Sequence, residues 1–268
     1  VRRESGSLPL GSEAVLALRI PSGRLRVEAV EGAAEVAYEI EIHAEADDAA
    51  AVQAGLDRVE VRVSGGNEGG KSEIAVERGA AARDVEIEVN LYARVPLTCE
   101  LTLGVAAGAI AVDRLRGNLR VKSHSGSVDL GEIEGEIDAT LHSGNLRIGK
   151  VTGPARIEAK SGQVRIDDAG DGVDIRQMAG QVAVQLTATP RRASRVEAMS
   201  GEVRLTLAEG VGVDLDAEAR SGRVRVEKSF PDRGALRSYR GPLHGGGMPL
   251  VVRSAAGSIA VGAAPLHG

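Results

Sequence analysis

Two histidines, His124 and His142, stand 18 residues apart in matching contexts, "SHSGSV" and "LHSGNL". Imidazoles on neighbouring strands can hold a metal ion, but a third ligand is missing. Lys160 takes the next equivalent position, and Glu158 lies two residues away along its own segment. The pair is a weak metal candidate, the solvated polar face is the stronger reading, and no metal is assigned. The next equivalent residues, Met178 and Met199, read as a small apolar patch rather than a copper site. "GGNEGGKS" (Gly65 to Ser72) matches the phosphate-cradling pattern, which needs a helix to follow it. The next residues, "EIAVE", alternate like a strand, so a hairpin turn is the simpler reading. Asp167, Asp168 and Asp171 in "DDAGDG" suggest calcium only in outline, and an Asp- and Gly-rich turn accounts for them. Cys99 is the single cysteine, which excludes an internal disulfide and a multi-cysteine zinc site. No Gly-x-Ser-x-Gly elbow and no His-Glu-x-x-His helix appears. No catalytic residue and no cofactor is assigned.

These residues sit on a repeat. A small residue followed by glycine and then by alternating aliphatics recurs at Gly108, Gly126, Gly144, Gly162, Gly180, Gly201 and Gly222, with spacings of 18, 18, 18, 18, 21 and 21. Gly257 continues the series after a gap of 35, and Gly23 looks like an isolated early member. Two residues after the glycine stand Val128, Leu146, Val164, Val182, Val203 and Val224. Four after stand Leu130, Ile148, Ile166, Val184, Leu205 and Val226. Five before stand Val121, Ala139, Ile157, Ile175, Val196 and Ala217. Period 2 within each segment means β-strand, so each unit holds two short strands of about 5–6 residues.

Such a unit cannot bury its own apolar face, and stacking the units buries a continuous core. The expected fold is therefore all-β: a parallel β-solenoid of about 18–21 residues per coil. Parallel crossovers favour the right hand. The small residue before each glycine (Ser125, Ser143, Ser161, Ala179, Ser200, Ser221) is expected at an inward-facing corner. Six residues before each glycine the charge alternates: Arg120, Asp138, Arg156, Asp174, Arg195, Asp216. Stacked at roughly 4.8 Å, this ladder of opposite charges would fix the register.

The chain of 268 residues is long enough for a large core, yet aromatics make up 1% of it, with no Trp and one Phe. Its 43% hydrophobic residues are mostly small aliphatics, which suits a narrow stacked interior, and 35 Gly point to many turns. A net charge of −5 weighs against nucleic acid as partner. The lack of aromatics weighs against sugar stacking and single-strand binding. No apolar run of 18 or more residues is present, so no helix is expected to span a membrane. The first residue is Val, which is expected of a chain trimmed of a leader or anchor.

Residues 1–100 read as a β-rich N-terminal part that caps the solenoid, with a helix at 47–58 capped by Asp47 or Asp48. Residues 101–228 read as the regular coils, and 229–268 as an irregular loop with terminal cap strands. The loop "SFPDRGALRSYRGPLHGGGMP" reads as a lid over an edge or as a partner-contacting segment. Phe230, Arg237, Tyr239, Arg240 and His244 are the contact candidates.

"ARVPLTCELTLGVAAGAIAV", the copies of "GNLRVKSHSGSVDL", and "GPLHGGGMPLVVRSAAGSIAV" together resemble the putative-adhesin family of bacterial β-strand-repeat proteins, a domain of unknown function. The resemblance runs from about Ser22 to Val261. It implies a parallel β-helix and, often, a bacterial envelope or cell-surface setting, with a cytoplasmic one still open. It brings no catalytic residues. The expected function is a non-catalytic binding or adhesion-like module whose partner is a protein or polysaccharide of the envelope. A self-assembling scaffold and a β-helix glycan-active enzyme are the alternatives.

Overall fold

Alternating aliphatic and polar residues fold as strands because a strand sends successive side chains to opposite faces. Here the aliphatic face has only other coils to pack against. The structure, a computed structural model, describes residues 1–10, 15–65, 71–79, 85–226 and 236–263. The chain divides into two compact units, Val1–Gly131 and Glu132–Gly268. The division falls inside the run of regular coils, whereas the sequence pattern placed limits at residues 100 and 228.

The first unit holds β1 (Arg2–Pro9), β2 (Val15–Val30), β3 (Glu35–Glu45), α1 (Ala49–Asp57), β4 (Val59–Ser64), β5 (Ser72–Arg78), β6 (Glu86–Pro96), β7 (Glu100–Arg116) and all but the last three residues of β8 (Leu119–Glu134). β2 is a full coil: β7 lies parallel on it with Gly23 and Gly108 in register. Residues 31–99 are thus an excursion between two stacked coils. They return to β2, where β5 runs parallel to its first arm and β6 to its second. β3 then pairs antiparallel with β6, β1 with β3, and β4 with β5. The helix is the one expected, with the Asp48 carboxylate accepting from Ala51 N at 2.7 Å.

The second unit holds β9 (Ile137–Val151), β10 (Ala155–Ala169), β11 (Val173–Leu186), β12 (Ser194–Ser200), β13 (Val203–Leu207), β14 (Val213–Ala219), β15 (Val224–Val226), β16 (Ser238–Leu243), β17 (Met248–Ala256) and β18 (Ile259–Ala263). The repeat aliphatics Leu146, Val164, Val182, Val203 and Val224 are buried in its core.

The structure corrects three expectations. First, the two arms of a coil are not separate short strands in β9, β10 and β11. Each is one bent strand, 15 residues long in β10, that turns at its glycine without breaking the ladder. At Gly162 φ is +118°, and an added β-carbon would stand 1.7 Å from the Gly144 carbonyl oxygen. Only glycine fits both demands.

Second, the corner serines face outward. Ser161 is exposed and Ser200 half-buried. Their hydroxyls donate to carbonyls of the coil beneath, Ser161 to His142 O at 3.3 Å and Ser200 to Met178 O at 3.2 Å.

Third, the coils do not stack in chain order. β17 inserts between β12 and β14, parallel to both, and β18 inserts between β13 and β15. The glycine stack agrees: a β-carbon at Gly257 would meet Gly201 O at 1.8 Å, and one at Gly222 would meet Gly257 O at 1.9 Å. β16 then covers the free side of β14 in antiparallel register, and Leu236 bridges antiparallel to Val224 on β15.

Candidate functional site

The charge ladder read from sequence is in register over four strands of the second unit. Asp138 faces Arg156, Arg156 faces Asp174, and Asp174 faces Arg195. The next step is not the expected one. Val251 of the inserted β17 separates Arg195 from Asp216. Arg120 lies on β8 of the first unit.

A second ladder, two residues further along each strand, crosses the insertion intact. Glu158, Arg176, Glu197, Arg253 and Glu218 follow one another in register. Arg176 lies 3.7 Å from Glu158 and 3.8 Å from Glu197, and Arg253 lies 3.7 Å from Glu218. In chain order Glu197 would have stacked directly on Glu218, and like charges opposite each other destabilise a sheet. Arg253 resolves that conflict. It also donates to Asp216 at 3.0 Å from Oδ1 and 2.7 Å from the carbonyl oxygen. Its hydrogen bond, followed by that from Arg240, holds the Asp216 carboxyl below its usual range against the opposing effect of burial.

This ladder borders an open groove of about 810 Å³ that crosses β9, β10, β11, β12, β17 and β14. Its floor is made of inward-facing Leu141, Ala159, Gln177, Ala198 and Ser254, mostly small, and longer outward side chains form its rims. Gln177 braces the floor: its amide donates to Gly162 O at 2.7 Å and Ala179 O at 3.0 Å. The second rim reads, coil by coil, His142, Lys160, Met178, Met199, Ala255 and Arg220. Met178 and Met199 are 51% and 58% exposed. Five cationic side chains and three carboxylates line the groove, on a chain whose net charge is −5.

The other sequence candidates are placed as follows. His142 lines the groove, while His124 lies on β8 in the first unit. Among the described residues no group of three His, Cys, Asp or Glu is placed to hold a metal ion. The "DDAGDG" carboxylates already have partners within the chain. Asp167 accepts from Arg147 and Arg165, Asp168 accepts from Thr187, and Asp171 accepts from Gly172 N at 2.8 Å and Arg191 N at 3.0 Å. The phosphate-loop pattern lies largely outside the described residues, and strand β5 follows it where a helix would be needed. Cys99 is buried, and burial pushes its thiol up to about 12.

Of the partner candidates, Phe230 lies outside the described residues. Tyr239 and Arg240 belong to β16, opposite Ala217 and Asp216, and Arg240 reaches Asp216 at 2.7 Å. Arg237 lines a smaller depression beside them. His244 has φ of 48°, and its Nδ1 lies 3.1 Å from Val211 O. Sequence reasoning missed Arg253 and Gln177. The signal for Arg253 was available, as the only charge between two glutamates once the Gly257 coil is placed between its neighbours.

A family model described as Toastrack DUF4097 matches residues 16–240. The chain belongs to that family. Among solved structures it is similar to a putative adhesin from Bacteroides fragilis (6% identity, TM-score 0.38) and a putative adhesin from Parabacteroides distasonis (11%, 0.35), each alignment covering 98% of this chain and 97% of the other. It is also similar to a putative cell adhesion protein from Clostridium sporogenes (10%, 0.28), covering 98% of this chain and 100% of that one. No curated protein sequence matches it. No described helix is long and apolar enough to cross a membrane.

Proposed function

We propose that the chain is a non-catalytic binding module of a bacterial envelope or surface, with the groove of the second unit as its contact face. The observation that carries this reading is the groove itself. It is open and crosses six strands, and it joins two exposed methionines to paired charges. Polarizable, adaptable methionine suits a binding surface. The non-catalytic half of the reading is supported by the state of the candidate groups among the described residues. The thiol is buried and protonated at neutral pH, and the clustered aspartates are already held by backbone amides, a hydroxyl and arginines. The adhesin-like resemblance of the sequence supports the setting. Self-assembly by end-to-end stacking is disfavoured at the β14–β15 edge, where antiparallel segments already cover both arms.

The test is co-sedimentation of the purified chain with peptidoglycan sacculi, surface polysaccharide and envelope-protein fractions. A Met178→Glu/Met199→Glu variant is run beside it. Saturable sedimentation that the variant loses supports the module. Equal sedimentation of both proteins refutes the groove as the contact face, and cleavage of a glycan by the chain refutes the non-catalytic reading.

A further inference from the structure

We propose that the groove takes an extended peptide bearing two acidic side chains six residues apart with two apolar side chains between them, laid across the strands along the stack. This rests on the binding-module reading above. The rim sequence carries the argument. Lys160, Met178, Met199, Ala255 and Arg220 follow one another on neighbouring coils, so a cation stands at each end of a three-residue apolar run. Among the described residues neither Lys160 nor Arg220 is in an ion pair, whereas the other three groove cations face glutamates or Asp216.

Four coil steps of about 4.8 Å separate the two free cations by about 19 Å. An extended chain rises about 3.3 Å per residue, so positions i and i+6 are about 20 Å apart and point the same way. Positions i+2 and i+4, on the same face, then fall over the Met178–Met199 and Met199–Ala255 junctions.

The middle of the run offers an anion only methionines, and the arginines nearest it, Arg176 and Arg195, are already engaged by Glu197. This separates the peptide from an acidic polysaccharide, which carries a charge on every sugar and would set carboxylates over the methionines. The near absence of aromatics removes the usual platform for a sugar face.

The experiment is fluorescence anisotropy with a labelled heptapeptide, Glu-Ser-Leu-Thr-Leu-Ser-Glu. Matched probes carry Lys for Glu or Ser for Leu, and an oligogalacturonate is tested in parallel. The acidic apolar probe binds best, and its affinity falls as salt rises. Lys160→Glu and Arg220→Glu each weaken it by about threefold, and the double variant by about tenfold, as expected of exposed ion pairs. The double variant takes the Lys probe instead. Both substitutions are on exposed side chains, so unchanged melting shows that the fold is retained.

Equal binding of the acidic probe to wild type and double variant overturns the proposal. So does oligogalacturonate binding that the double variant abolishes, and that result leaves the binding module standing. Failure of the heptapeptide together with failure of every envelope fraction removes both.

Discussion

Arg253→Glu is the sharpest test of the inserted coil. Wild-type Arg253 donates to the Asp216 carboxylate at 3.0 Å and lies in register between Glu197 and Glu218. A hydrogen bond between charged groups is worth about 1.5–3 kcal/mol. These two side chains are 33% and 27% exposed, so solvent screening reduces that to about 1 kcal/mol. The two glutamate neighbours change from attraction to repulsion, a few tenths of a kcal/mol each way, or about 1 kcal/mol in all. The sum, about 2 kcal/mol, lowers the melting temperature of a unit this size by roughly 4–8 °C.

Arg253→Met loses only the attractive part, the Asp216 bond and the pull of the two glutamates, about 1.5 kcal/mol. At about 1 M salt the screening length shrinks to about 3 Å, so Arg253→Glu recovers much of its repulsive loss. Adding Glu218→Arg restores one opposite-charge pair and part of the stability. The assay is thermal unfolding of each variant at low and high salt. If Arg253→Glu melts within about one degree of wild type and responds to salt in the same way, β17 does not lie between β12 and β14 in this register.

Asp216 gives a pH prediction. Its folded carboxyl lies below its usual range, so its stabilising effect is complete above the ordinary value of about 4 and disappears as pH falls through the lower folded value. The stability gap between wild type and Asp216→Asn, measured by urea unfolding, should therefore be constant near neutrality and close below about pH 4. Gly162→Ala should cost about 3 kcal/mol or more, because the new β-carbon meets a carbonyl oxygen at 1.7 Å in a left-handed conformation. Gly210→Ala, at φ +78° with nothing within 4 Å, should cost only about 1–2 kcal/mol, so equal losses in denaturant unfolding would refute the steric argument. Cys99, buried and with its thiol at about 12, should resist iodoacetamide at pH 8 in the native chain and react on unfolding, as read by mass spectrometry.

What was legible in the sequence follows from which residues carry information about their neighbours. The aliphatic columns revealed strands, coils and core, because any aliphatic stacks on any other. For the same reason they could not reveal the order of coils: Val203 accepts Ile259 as readily as Val224. Only a charged column distinguishes partners. The column that was read, ending Arg195–Asp216, tolerated chain order, whereas the unread one, Glu197–Glu218, forbade it until Arg253 was placed between them.

The outward corner was legible as well. Val196 and Val203 are both buried at five before and two after Gly201, an odd separation that strict alternation cannot give. The alternation must therefore slip at the corner, which leaves the residues flanking the glycine outside. The groove depends on the alternation and on the inserted coil. Its outward rims come from the strict alternation that precedes the corner, and the insertion carries its charge alternation on through Arg253 to Glu218. Its concave floor comes from the small residues Ala159, Ala198 and Ser254 that coils in this order bring together. A reading that keeps the coils in chain order loses Ser254 and Arg253 from this face and sets Glu197 beside Glu218, so the site exists only because the last coil is not at the end.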